Sequence, residues 1–141
     1  MDRKTLLTVG RAAAAAAAAA PVSAHGNPLP SFDDVVSFID GGVVIESRRY
    51  SLTPPPPFLH LLETTGHGAW KRTGNRTFEV FFRFLLQETA SDGPIGTDNI
   101  KLRLTLTGDT LAGSFHSDVR DLNDDVVDSF DGTYSAERIT V

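Results

Sequence analysis

Ile100-Lys101-Leu102-Arg103-Leu104-Thr105-Leu106-Thr107 alternates apolar and polar side chains without a break. A strand presents successive side chains to opposite faces, so this stretch predicts a strand with one buried and one wet face. Gly108-Asp109 follows, a residue pair suited to a tight hairpin turn, and leads into residues 110–120. There Leu111, Gly113, Phe115, Ser117 and Val119 share one side. The two runs make an antiparallel hairpin, and the reading extends outward from it in both directions.

Upstream, Gly74-Asn75 separates residues 68–73 from 76–87. In the second run Phe78, Val80, Phe82, Phe84 and Leu86 point one way. Thr77, Glu79, Arg83 and Gln87 point the other, together with Phe81 and Leu85. Two large apolar side chains on the nominal outer face predict a cover: the N-terminal segment, residues 58–62 or a partner. Asp92-Gly93-Pro94-Ile95-Gly96 reads as a turn into residues 97–107. Residues 34–39 and 43–49 flank Asp40-Gly41-Gly42, and a polar turn over 121–125 leads into residues 126–139. Pro54-Pro55-Pro56-Pro57 is incompatible with a central strand and reads as a stiff extended spacer. Phe58-Leu59-His60-Leu61-Leu62-Glu63 fits either a short strand or a helical turn.

The fold class is therefore all-β, an antiparallel up-and-down meander of about seven strands. Such a sheet hides its edges and its apolar face by stacking or by closing, and sequential hairpins favour an up-and-down barrel. Seven or eight strands leave an interior that side chains fill, or that holds one small ligand. The cone-shaped α+β barrel of SnoaL-like proteins would need N-terminal helices. Residues 31–40 are the sole candidate, and Val35, Val36 and Ile39 suit a strand better.

The chain has 141 residues, with 13 Lys+Arg, 18 Asp+Glu and no Cys. Its first residues read differently from the rest. Met1-Asp2-Arg3-Lys4-Thr5-Leu6-Leu7 is a basic start, Ala12 to Ala20 an unbroken alanine run, and Val22-Ser23-Ala24 a small-x-small site. These are the parts of an export signal, with cleavage expected after Ala24. Removing residues 1–24, which hold three basic side chains and one acidic, leaves 117 residues with 10 basic and 17 acidic, net charge near −7. That balance argues against a nucleic-acid partner. Without cysteine there are no disulfides and no thiolate chemistry, and residues 25–141 hold no apolar stretch long enough to span a membrane.

Arg3-Lys4-Thr5-Leu6-Leu7 resembles a twin-arginine leader, with Lys4 in the place of the second arginine. Three further stretches resemble small exported actinobacterial proteins. They are residues 66–78 (Gly66-His67-Gly68-Ala69-Trp70 through Phe78), Gly108-Asp109-Thr110-Leu111-Ala112-Gly113, and the ending Gly132-Thr133-Tyr134-Ser135-Ala136-Glu137-Arg138-Ile139. That group looks lipocalin-like and is mostly of unassigned function. The resemblance covers residues 30–140 and implies a calycin-type barrel. Such proteins usually begin with a Gly-x-Trp strand after the leader, and here that first strand is missing. The one Gly-x-Trp, Gly68-Ala69-Trp70, lies mid-chain.

The expected function is binding of a small apolar ligand inside the barrel. The expected lining is Trp70, Phe78, Val80, Phe82, Phe84, Leu102, Leu104, Phe115, Phe130 and Tyr134, side chains that would equally serve to fill the interior. An isomerase or cyclase would use His67, between two glycines, with Arg72 or Glu63. A structural or interaction module would use Phe81 and Leu85. Trp70 and Arg138 fit either a stacked lipocalin-type pair or an ordinary core tryptophan with a surface arginine. His60, His67 and His116 lack metal-ligand spacing, so neither metal nor cofactor is expected. Asp121-x-Asn123-x-Asp125 opens like a calcium loop, but Val126 and Gly132 replace its glycine and glutamate. With Asp118, Asp124, Asp128 and Asp131 it reads as a solvated turn.

Overall fold

A computed structural model of the chain describes residues 6–12, 22–23, 32–48, 51–52, 61–89 and 93–138. These form strands β1 (Leu6–Ala12), β2 (Val22–Ser23), β3 (Phe32–Ile39), β4 (Val43–Arg48), β5 (Ser51–Leu52) and β6 (Leu61–Glu63). Longer strands follow: β7 (Gly66–Arg72), β8 (Thr77–Glu88), β9 (Gly93–Thr107), β10 (Thr110–Arg120) and β11 (Val126–Arg138). Arg3, Lys4, most of the alanine run, Ala24, Pro54 to Pro57, His60 and Ile139 lie outside the described residues.

In chain order β3, β4, β7, β8, β9, β10 and β11 each pair antiparallel with the next. This is the seven-stranded meander that the alternation predicts, curled into a half-barrel. Its two outer strands both pair with β1: Leu6 to Ala12 run along β3, and Thr8 to Arg11 along β11. Val22–Ser23 then pairs with Phe130 and Asp131 farther along β11. The strand expected to be missing is thus supplied by residues within the segment read as a leader. Leu, Thr and Val suit a strand, whereas the alanines that follow do not.

The turns follow local chemistry. Gly41 and Gly42 take φ of +95° and +85° between β3 and β4, a region that costs a residue with a Cβ. β6 continues the line of β7 along β8, pairing Leu61 with Glu88 where β7 ends at His67 and Arg83. Thr64 bridges the two, its amide donating to the Leu85 carbonyl at 3.1 Å and its hydroxyl accepting from the Leu85 amide at 3.1 Å. Of the two readings of residues 58–63, Leu61–Glu63 is a strand.

The stretch expected to be a turn at residues 92–96 is a correction. β9 already begins at Gly93, and Ile95 is the extra residue of a bulge, because Leu86 faces Gly96 while Gln87 faces Pro94. Proline is tolerated there since β10 pairs no farther along β9 than Thr97.

Inward-facing side chains of six of the seven meander strands make one apolar cluster, against which Trp70 of β7 packs. It contains Val36, Val44, Val80, Phe82, Phe84, Ile100, Leu102, Leu104, Leu111, Phe115, Tyr134 and Ala136.

Candidate functional site

All ten residues expected to line a ligand cavity come together, mostly as packing, with Trp70, Phe78 and Leu104 also bounding a crevice. Val80, Phe82, Phe84, Leu102, Leu104, Phe115 and Tyr134 are buried in the cluster, and Trp70, Phe78 and Phe130 pack against it from its margins. Aromatic rings meet edge-on or tilted, Phe115 with Phe130 at 6.2 Å and Phe82 with Phe84 at 6.4 Å between centroids. The space left among Phe82, Ile100, Leu102, Phe115 and Tyr134 is about 10 Å³, room for roughly one water.

The interior opens at one rim. Phe38, Trp70, Phe78, Leu104, Leu106 and Leu111, with Asp40 at the edge, bound a crevice of about 140 Å³. Trp70 is its fixed wall. Its indole N–H donates to the Ile39 carbonyl at 3.1 Å, Phe38 meets it edge-on at 6.0 Å and Phe78 leans against it at 6.0 Å. Of the two readings of Trp70 and Arg138, the structure supports the separate roles. Arg138 pairs with Asp109 in the β9–β10 turn at 3.4 Å.

The interior also carries polar groups, most of which the sequence reading misses; it names Glu63 and sets Ser117 on the side of Phe115. Asp34, Glu46, Glu63, Asp98 and Ser117 are buried there, while Asn99, equally buried, lies on the outer face and accepts from Arg83 Nε at 2.7 Å. Ser117 donates from its hydroxyl to Asp98, and Tyr134 donates to Asp34 at 3.3 Å. Burial first, and then the Asp34 and Glu46 carboxylates, push the Tyr134 phenol far above its usual range, so it stays a donor at any working pH. The signal was present in the phase of the strands. Asp98 is in step with Ile100, Leu102 and Leu104, Ser117 with Phe115, Glu46 with Val44, and Asp34 with Val36.

His67, Arg72 and Glu63 do not converge. His67 is exposed on the outer face, opposite Arg83, whereas Glu63 is buried. Their partners on β8, Arg83 and Leu86, are three residues apart, about 10 Å at strand rise, and the two side chains take opposite faces of the sheet. Arg72 is spent on the β7–β8 turn, with its Nε donating to Gly74 O at 2.8 Å and its guanidinium also bonded to Asn75. The glycines beside His67 serve packing rather than a catalytic loop. A Cβ on Gly66 would lie 2.5 Å from the Phe84 ring, and one on Gly68 would collide with the Phe81 carbonyl.

On the outer face Phe81 is half-buried, with the Arg83 guanidinium 5.9 Å from its ring centre, while Leu85 is 58% exposed. The expected cover over Leu85 is not found among the described residues. Asp121 caps its own turn, accepting from the amides of Asn123 at 2.8 Å and Asp125 at 3.0 Å. His116 lies between Asp131 (2.8 Å from Nδ1) and Asp118 (3.1 Å from Nε2).

Comparison with models of protein families, with curated proteins and with solved structures gives no match. No helix among the described residues is long and apolar enough to cross a membrane.

Proposed function

We propose that this is an exported, lipocalin-like binding protein that takes one small apolar group in the crevice beside Trp70. The observation that supports it is the 140 Å³ apolar opening at the Trp70 rim of an otherwise filled interior. An apolar cavity of about 150 Å³ is enough for a benzene ring. The ligand is accordingly a ring or a short alkyl branch, and the rest of a larger molecule stays outside the rim.

Trp70 is the chain's one tryptophan, so its fluorescence reports on the crevice directly. Titration with toluene and with indane is expected to shift the emission saturably. Replacing Leu111, 5% exposed at the crevice wall, with Phe is expected to abolish the shift. Emission that stays unchanged, or a shift that survives Leu111→Phe, refutes the reading.

Export rests on the order of charge, alanine run and cleavage site in residues 1–24. The intact mass of protein recovered outside the producing cells tests it, with loss of 24 residues expected. Loss of those residues removes β1 and β2 and leaves β3 and β11 as sheet edges, whereas a full-length exported chain would keep β1 between them. The isomerase or cyclase reading has no comparable support, since its three candidate residues lie apart.

A further inference from the structure

The ladder registers place Ala69, Phe81, Lys101, His116 and Asp131 directly opposite one another across β7 to β11 on the outer face. Beside that row runs a second, Lys71, Glu79 and Arg103. Together they line an open groove of about 770 Å³, the size of small-molecule sites in general. Its charge is unusual for this chain. Residues 25–141 hold 10 basic and 17 acidic side chains, yet three of the basic ones line this groove and Arg83 reaches over its Phe81.

The cations are not all spent on neighbours. Lys71 holds Glu79 at 2.8 Å, leaving Arg103 only a distant 3.9 Å contact with the same carboxylate and a side chain 84% exposed. Lys101 is exposed and has no ion pair among the described residues. Lys101 and Arg103 are two residues apart on one face of β9, about 7 Å along the strand. Phe81 stands beside Lys101 and offers an apolar ring already flanked by a guanidinium. A cation pair next to an aromatic platform suits a ligand with one negative charge and one flat apolar part. The flanking carboxylates of Glu79 and Asp131 disfavour a dianion.

We propose that this outer groove binds an aromatic carboxylate, its ring on Phe81 and its carboxylate on Lys101 and Arg103. The site lies on the outer face, whereas the Trp70 crevice opens to the interior from the rim; Trp70 borders both.

Titration calorimetry and amide chemical shifts of the full chain test this with 1-naphthoate, inorganic phosphate and toluene as probes. The expected result is saturable 1-naphthoate binding that weakens with salt, with shifts along β8 and β9 and no displacement by toluene. Lys101→Glu should weaken it by about tenfold or more, and Arg103→Gln comparably, because each removes a charge-assisted bond. Both side chains are exposed, so melting temperatures should hold. The proposal is overturned if 1-naphthoate fails to saturate, if either variant binds it as the parent does, if phosphate binds as tightly, or if toluene displaces it.

Discussion

The inner and outer faces of the sheet are built from the same strands, one residue out of step. On β10, Phe115 and Ser117 point inward, while His116 and Asp118 point outward. Both faces carry carboxylates with hydrogen-bonding partners, but under different conditions. Inside, Asp98 and Asp34 are buried and take bonds from Ser117 and Tyr134. Outside, Asp131 is 81% exposed and shares His116 with Asp118. A buried polar group must be satisfied by protein, whereas an exposed one has water as a substitute. The inner face is accordingly where sequence is constrained by packing. The outer face is free to carry charge without loss of fold.

The largest effect that tests this contrast is expected from Phe84→Ala. Phe84 is 0% exposed and its ring fills the space left by Gly66. Truncating a buried phenylalanine costs about 3–5 kcal/mol, since the cavity cannot collapse onto a rigid sheet. Urea unfolding measures it, and the outer-face binding of 1-naphthoate should be unaffected wherever the variant is folded. A loss below about 1 kcal/mol would mean that this interior is not packed as described.

Ser117→Ala is the intermediate case. Ser117 is 0% exposed and its hydroxyl donates to Asp98, so alanine removes a donor from a buried carboxylate at almost constant volume. A loss of about 1–3 kcal/mol is expected by urea unfolding. Ser114→Ala, on the exposed face of the same strand, should fall within about 0.5 kcal/mol of the parent. Equal effects of the two substitutions would remove the distinction between the faces.

Much of this arrangement was legible in alternation alone. Residues 100–107 and 110–119 specify strands, faces and a turn, since a slip by one residue would expose every leucine. The inward acids were legible too, had the phase of Ile100 been carried back to Asp98. Other features depend on contacts between distant parts of the chain. Gly93-Pro94-Ile95-Gly96 has turn residues, yet makes a bulge because β8 continues alongside it. Leu6–Ala12 reads as leader by composition, and only the unpaired sides of β3 and β11 give it a place as a strand. The partner of Trp70, the Ile39 carbonyl, lies 31 positions away, and neither residue type announces it. The outer groove is a product of register, which sets Phe81 beside Lys101 and Lys101 beside His116.

The smallest effect belongs to the exposed counterpart of the Ser117–Asp98 pair. Both His116 nitrogens lie within hydrogen-bond distance of a carboxylate, an arrangement fully used only when both carry protons. The bond to Asp131 raises the His116 pKa above its ordinary 6.5, and Asp118 adds to this, while partial burial opposes it. A raised folded-state pKa contributes stability that is fully present below the unfolded value and is lost as pH rises through the folded one. Stability should therefore fall slightly as pH rises from about 6.5 through the folded-state titration of His116. Solvent screening keeps that fall small, because Asp131 is 81% exposed and His116 44%. Asp131→Asn should lower the His116 midpoint in an NMR titration and flatten the pH dependence of the melting temperature, leaving stability at pH 9 unchanged. An unmoved midpoint would show that Asp118, the more sheltered of the two carboxylates, holds the imidazolium by itself. The outer face would then depend on burial as the inner face does.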